Sequence, residues 1–131
     1  MMDRAASSCV AFVAVVVMYS SLHAAAPSAA SQREIIHLLE YLENSGCTFL
    51  RNGTWHKPKQ ARAHLEKKYE YLMKRSLADS AEDFVERAAS TSSISGETYF
   101  VQCPGQAKVI SGDWLRAELY RFRQSNALEG K

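Results

Sequence analysis

The chain has 131 residues, with 16 lysines and arginines against 14 aspartates and glutamates, a formal net charge of +2 at neutral pH. This near balance gives no support to nonspecific nucleic-acid binding, and no segment after residue 30 is apolar enough to span a bilayer. We therefore expect no nucleic-acid partner and no integral membrane span.

The first thirty residues have the pattern of a secretory signal peptide. Arg4 gives a basic start, an apolar run follows from Val10 to Tyr19, and an alanine-rich stretch covers Ala24 to Ala30. The apolar run is shorter than the roughly 20 residues of a stable membrane span, and small residues follow it where a signal peptidase cuts. The sequence therefore predicts an exported protein with a leader over residues 1–30.

Cleavage is predicted after Ala30, because a cut after Ala26 would leave Pro27 next to the scissile bond. The mature chain, residues 31–131, is of the length of one small globular domain. Its core is expected over about residues 33–124.

Export also determines how the cysteines are interpreted. Cys9 leaves with the leader, so Cys47 and Cys103 remain as an even pair, which in an oxidising compartment predicts a disulfide. Closing a loop of this length contributes on the order of 4 kcal/mol in the chain-entropy model. Two buried free thiols, or half of a metal site, are the alternatives.

Apolar residues at three-and-four spacing predict four helices. They run from Arg33 to Asn44, from Pro58 to about Arg75, from Ser80 to about Ser90, and onward from Ser111. The residues expected to face the core are, helix by helix, Ile35, Leu38, Leu39 and Leu42; Ala61, Leu65, Tyr69, Leu72 and Met73; Ala81, Phe84, Val85 and Ala88; and Leu115, Leu119 and Phe122.

Side chains at the helix ends predict the caps. Ser80 is expected to cap the third helix with Asp83 at the reciprocal position, and Ser111 is expected to cap the fourth. On the first helix, His37 lies off the apolar face, and we expect it to be solvated.

Two short segments are predicted strands, Cys47 to Arg51 and Tyr99 to Cys103, the first ending in an Asn52-Gly53 turn. Antiparallel pairing with Cys47 opposite Cys103 sets Phe49 opposite Val101 and brings the two cysteines within bonding reach. The polar segment from Ser90 to Gly96 is expected to be a loop, ordered or mobile. The predicted fold class is α+β, mostly helical, with one small two-stranded antiparallel sheet.

Several motifs occur together in one order along the chain, and they are Phe49-x-Arg51-Asn52-Gly53, His64-Leu65, Ala81-Glu82-x-Phe84 and Ser92-Ser93-x-Ser95-Gly96-x-x-Tyr99. In these motifs the chain resembles the YfeK-like family of small exported bacterial proteins, a domain of unknown function. The likeness extends from about Ile35 to Arg123. It implies a periplasmic location in a Gram-negative bacterium, and it carries no activity, catalytic residue or cofactor.

The predicted second helix separates its charges into two flanks. From Lys57 to Arg75 there are seven basic and two acidic residues, a formal charge of +5. One flank, here called the basic flank, consists of Lys57, Lys67, Lys68, Lys74 and Arg75 together with His64 and Tyr71. Such a surface suits an acidic protein or an anionic envelope glycan or lipid, and its alternative is an ordinary solvated helix face.

Two residues near the predicted turn have two interpretations each. His64 is interpreted as a partly buried histidine that orients the Asn52-Gly53 turn, and alternatively as a ligand or a catalytic base. His56 lies eight residues before it, a spacing that does not match a helical metal-ligand pair, so we expect no metal and no cofactor. Trp55 is expected to cover the core as a lid, or, if exposed, to anchor a partner.

The function predicted from these residues is a non-catalytic binding or interaction module in the periplasm, not an enzyme. Its candidate binding residues are Trp55, His64, Lys67, Lys68, Tyr71 and Arg75, and its partner is an unknown protein or an anionic envelope component. The alternative is a small hydrolase with His64 as base and a hydroxyl from Ser92, Ser93 or Ser95 as nucleophile. No glycine-flanked nucleophile elbow surrounds these serines, which weakens that alternative.

Overall fold

Residues 27–130 are described by a computed structural model, and within them the chain forms four helices and a four-stranded sheet. The helices are α1 (Ala29–Glu43), α2 (Pro58–Met73), α3 (Ala81–Ala88) and α4 (Ser111–Glu129). The strands are β1 (Thr48–Arg51), β2 (Thr54–His56), β3 (Phe100–Gln102) and β4 (Val109–Ile110). The predicted class, α+β and mostly helical, is confirmed.

The first 26 residues lie outside the described part of the chain, and they include most of the predicted leader and Cys9. Helix α1 begins at Ala29, four residues earlier than predicted, because the Ser28 hydroxyl caps it by accepting a hydrogen bond from the Ser31 amide at 3.1 Å. The leader and its cleavage after Ala30 stay predictions.

The sheet has four strands where the sequence predicted two. All neighbours are antiparallel, in the order β2-β1-β3-β4. Strand β2 exists because Asn52 and Gly53 both have positive φ, 47° and 75°, the geometry that reverses a chain into a tight hairpin. Strand β4 has two residues and runs directly into α4, so no turn signal separates it from the helix.

The predicted pairing of the two central strands is confirmed. Phe49 lies opposite Val101 on antiparallel strands, with Thr48 opposite Gln102. In the same register, just beyond the strand ends, Cys47 and Cys103 form a disulfide with their Cα atoms 4.1 Å apart. Strand pairing and the disulfide therefore connect the same two segments, which lie 56 residues apart in the chain.

The core lies between the helices and the inner face of the sheet. The predicted apolar stripes of α1 and α3 are buried in full, with Phe84 and Leu38 at 0 % exposure. On α2 the burial is narrower, because Leu65 and Leu72 are buried while Ala61, Tyr69 and Met73 are partly exposed. The α3 cap is as predicted at Ser80, whose hydroxyl accepts from the Asp83 amide at 3.1 Å, although the Asp83 carboxylate accepts from the Asp79 amide instead of from Ser80.

Two predictions were wrong, one about the start of α4 and one about His37 on α1. Ser111 is the first residue inside α4 and does not cap it, because β4 leads straight into the helix and the Ser111 amide donates to the Tyr99 carbonyl at 3.0 Å. His37 is not simply solvated, since its Nε2 lies 2.7 Å from a Glu118 carboxylate oxygen and its ring stacks on Phe122 at 4.0 Å.

Within residues 27–130, no helix is long and apolar enough to cross a membrane.

Candidate functional site

An open pocket of about 390 Å³ lies where the β1–β2 turn, helix α2 and the loop after α3 meet. Sheet register places the turn beside β3, and the loop returns along the same side of the molecule into that strand. The residues that line this pocket, called the basic pocket below, are Arg51, Asn52, His64, Lys68, Ser92, Ser93, Ile94 and Tyr99.

The serine-rich loop is ordered by hydrogen bonds to the hairpin turn. The Asn52 amide donates to Ser92 Oγ at 3.2 Å, and Asn52 Oδ1 accepts from the Ser95 hydroxyl at 2.7 Å. Ser92 Oγ also accepts from the amides of Ile94 and Ser95, each at 3.3 Å, and Ser92 is only 5 % exposed. The loop is thus irregular, as predicted, and it forms one fixed wall of the basic pocket.

A chain of polar contacts runs from Lys68 through Tyr99 to His64 across the base of the pocket. Lys68 Nζ donates to Tyr99 Oη at 3.4 Å, and Tyr99 Oη lies 3.2 Å from His64 Nε2. Burial, and then the positive charges of Arg51 and Lys68, lower the pKa of His64 from 6.5 to about 4. The imidazole is therefore neutral at pH 7, and its Nε2 atom shares a hydrogen bond with the Tyr99 hydroxyl.

His64 is partly buried, as predicted, but it does not orient the Asn52-Gly53 turn. That turn is held by the serine loop through Asn52, whereas His64 contacts Tyr99 by its Nε2 atom and edge to face at 6.1 Å between rings. The reason is position, because His64 lies one turn of α2 before Lys68 and therefore faces the same residue, Tyr99, just before β3.

Two cations in the pocket have no acidic partner. Neither Arg51 nor Lys68 forms an ion pair with any carboxylate of residues 27–130. Lys68 Nζ donates to the Thr91 carbonyl at 2.7 Å, and burial together with the Arg51 charge lowers the pKa of this lysine from 10.5 to about 8. Both residues are partly buried, so they concentrate positive charge at one end of a site with reduced access of water.

Next to the basic pocket lies a second, partly open pocket, in which about 30 Å³ is accessible to water, room for one or two water molecules. Arg51, His64 and Tyr99 line both spaces, so they form the wall between them. Ser111 also lines the second pocket, and its buried hydroxyl has no hydrogen-bond partner within the described residues. Ser111 therefore adds a hydroxyl without a hydrogen-bond partner in the described residues to a wall that also contains Arg51, His64 and Tyr99.

The structure brings together four of the six predicted binding residues. His64 and Lys68 line the basic pocket and also an adjoining groove of about 320 Å³, to which Lys67, Tyr71, Leu72, Arg87 and Ser93 contribute. Arg75 lines neither space, and its guanidinium stacks on the Tyr71 ring with its carbon 3.7 Å from the ring centroid.

Trp55 is not the lid that the sequence predicted. Its side chain is 44 % exposed, and it lines neither the pocket nor the groove. Strand β2 explains this position, since Trp55 pairs with Leu50 and His56 pairs with Phe49, and alternate side chains point to opposite faces. The residue that faces inward with Phe49 is therefore His56, which lines the second, partly open pocket.

A family model described as a family of unknown function (DUF5329) matches residues 29–123. The chain belongs to this family. No curated protein and no solved structure shows a significant match to the chain. The family assignment agrees with the predicted domain of unknown function, and the YfeK-like name and the periplasmic location stay predictions.

The sequence did not single out Arg51, Asn52, Ile94 or Tyr99 as site residues, and it offered Ser92 and Ser93 only as nucleophiles of the alternative hydrolase. The available signal was in the motifs themselves, because the segments around Asn52, His64 and Tyr99 converge on this one pocket. All of them lie inside the range that the family model matches.

The groups needed for a serine hydrolase are not aligned here. His64 Nε2 contacts Tyr99 instead of a serine, and no carboxylate from the described residues lines the basic pocket. The Ser92 oxygen accepts three hydrogen bonds from Asn52 and the loop amides. In the part of the chain that the structure describes, no cluster of three or more histidine, cysteine, aspartate or glutamate side chains is placed to hold a metal ion.

Proposed function

We propose that this protein is an exported, non-catalytic binding module that takes an anionic group of a protein or envelope component in the basic pocket. One observation carries the proposal, which is that Arg51 and Lys68 converge on a pocket to which no acidic side chain of residues 27–130 contributes. An unpaired charge that is partly removed from water is costly, and a bound anion would compensate it.

The strength of the electrostatic attraction favours the pocket over the rest of the basic flank as the binding site. Two unit charges 4 Å apart attract by about 4 kcal/mol at an effective dielectric constant of 20, against about 1 kcal/mol in bulk water. Lys57 and Lys74 are exposed, so salt screens them at distances beyond about 8 Å. Lys68 and Arg51 are partly covered and act on a ligand at short range.

Export is supported by two features of the chain. The leader pattern over residues 1–30 is that of a secretory signal peptide, and the Cys47–Cys103 disulfide suits an oxidising compartment. Fractionation of cells that express the full chain should find the protein in the periplasm with its N-terminus at Ser31. Recovery of uncleaved protein from the cytoplasm would contradict export.

A binding role without catalysis is favoured over the hydrolase because His64 Nε2 is hydrogen-bonded to Tyr99. Among the described residues, no carboxylate lines the pocket to orient the imidazole. A catalytic base of this kind works best with a pKa near the working pH, and burial holds the pKa of His64 at about 4. The neutral imidazole supports the pocket wall instead.

Affinity capture from a periplasmic extract tests the proposal. The immobilised protein should retain a partner that elutes with salt, and the K67E/K68E double variant should fail to retain it. The K59E/K74E double variant is the matched control, because it makes the same change of charge at two exposed positions at the ends of α2, outside the pocket. Equal capture by both double variants, at unchanged melting temperature, would remove the pocket from consideration.

A further inference from the structure

The basic pocket offers more positive charge than one carboxylate neutralises. Arg51 comes from β1 and Lys68 from α2, and Lys67 stands beside them at the adjoining groove. We propose, building on the binding function above, that the pocket is a site for the terminal phosphate of a phosphomonoester. Such a group carries about −1.5 to −2 charges at pH 7, which matches the two unpaired cations.

The hydrogen-bond donors of the pocket also suit this group. A terminal phosphate presents three acceptor oxygens, and Arg51 brings a planar fork of donors that binds two of them at once. Within residues 27–130 that guanidinium forms no ion pair, so its donors are available. Lys68 and the hydroxyl of Ser93, an exposed residue, extend the donor set, and no carboxylate of residues 27–130 lines the site to repel an anion.

The base of the site keeps these donors in place. Lys68 is fixed by the Thr91 carbonyl at 2.7 Å and by Tyr99 Oη at 3.4 Å. Asn52, which follows Arg51, is fixed to the serine loop by two hydrogen bonds. A ligand therefore meets a largely preformed arrangement, which limits the conformational entropy that binding removes.

The pH dependence of binding separates a phosphomonoester from a carboxylate. A phosphomonoester loses its second proton near pH 6, and Lys68, whose pKa is about 8, loses its charge above that value. Affinity should therefore be highest between about pH 6 and pH 8. The other charged and titratable side chains that line the pocket or the groove with Lys68 are Arg51, Lys67, Tyr71, Arg87, His64 and Tyr99. Of these, His64, whose pKa burial lowers, and Tyr99, whose pKa burial raises, stay neutral across this range.

Calorimetric titration of the purified protein with glucose 1-phosphate at low ionic strength tests the site. We expect binding with a maximum between about pH 6 and pH 8, at least tenfold weaker binding of acetate, and at least a tenfold loss of affinity in R51Q and in K68Q. K74Q is the matched control, because it removes one exposed positive charge at the end of α2 and should bind as the wild type does.

Three results would overturn the phosphate site, namely no binding of glucose 1-phosphate, equal binding of acetate, or an affinity that stays constant from pH 5 to pH 9. Tight binding of acetate alone would leave the general anion-binding function standing. The absence of any anion binding, together with salt-insensitive capture, would remove both.

Vesicles that contain phosphatidic acid distinguish two sources of the same chemical group. Vesicle binding that glucose 1-phosphate displaces assigns a lipid source, and binding of the soluble compound alone assigns a free phosphomonoester. Either result supports the site, and binding of neither contradicts it.

Discussion

Protonation of His64 should destabilise the fold in a defined pH window. Its pKa is about 4 in the folded protein against 6.5 as its ordinary value, so the unfolded chain binds the proton more readily. The free energy of unfolding should therefore fall as the pH drops from about 6.5 toward 4. Below the folded-state pKa, protonation of His64 should cause no further loss. The cause is the placement of the ring, which is partly buried against Tyr99 and faces the charges of Arg51 and Lys68.

The expected size follows from the two pKa values. A tenfold difference in proton affinity corresponds to about 1.4 kcal/mol, and integration from pH 7 to pH 5 gives a loss of about 2 kcal/mol. Access of water to the partly exposed ring reduces this to about 1–2 kcal/mol. For a domain with a total stability of about 5–15 kcal/mol, such a loss is measurable.

Urea unfolding followed by circular dichroism at pH 5, 6 and 7 provides the measurement. The H64Q variant should lose most of the dependence on pH in this window, whatever its stability at pH 7. H56Q is the matched control, since the pKa of His56 is also lowered by burial and by Arg51, yet His56 is less covered. An H64Q variant that keeps the full wild-type slope between pH 5 and pH 7 would refute the assignment of this effect to His64.

Three further predictions concern the packing of the fold, and urea unfolding checks each of them. Replacing Cys47 and Cys103 by serine should cost about 4 kcal/mol, because the disulfide closes a loop with a sequence separation of 56, and a loss below about 1 kcal/mol would contradict it. Phe84→Ala should cost about 3–5 kcal/mol because the ring is fully buried, whereas a loss similar to that of F84L would show that the site collapses. Gly112→Ala should cost about 1–3 kcal/mol because the new Cβ would lie 2.6 Å from Ser90 Oγ, and S90A in the same chain should restore most of the loss; no restoration would locate the strain elsewhere.

The helices could be predicted because their apolar spacing coincides with their burial. Leu38 and Phe84 follow stripes of the helical period, and both are fully buried. The central strand pair could be predicted because two cysteines and two apolar residues satisfy one register together. In each case several independent features of the sequence require the same arrangement.

The edge strands and the position of Trp55 could not be predicted from local pattern. Strand β4 has two residues, which is too short for an alternation of apolar and polar side chains to be visible. Strand β2 has three residues, and its pairing with β1 turns Trp55 outward. Once the Asn52-Gly53 turn is assigned as a tight hairpin, the register of β2 follows. The Asn-Gly dipeptide is therefore the sequence signal for this strand.

His37 shows a different limit of the sequence. The residue lies off the apolar stripe of α1, and sequence spacing alone makes it a surface residue. Its partners, Glu118 and Phe122, are more than eighty residues away on α4. Only the docking of the two helices brings a carboxylate and an aromatic ring to the same imidazole.

The basic pocket combines residues that are each ordinary in their own segment. Asn52 has the usual role of a turn residue, the serines have the composition of a surface loop, and Lys68 belongs to a charged helix face. The combination is distinguished by the absence of an ion pair, because no carboxylate of the described residues pairs with Arg51 or Lys68. Arg62, Arg116, Arg121 and Arg123 each form an ion pair with a carboxylate.

Arg51 is partly buried like Arg62, yet its neighbours are Lys68 and two histidines. A fold that needed Arg51 only for stability would gain from an acidic residue at this point, as Arg62 does from Glu43 and Glu66. No ion pair with a carboxylate of residues 27–130 compensates the charge of Arg51, and this unpaired charge is the observation on which the proposed anion site rests.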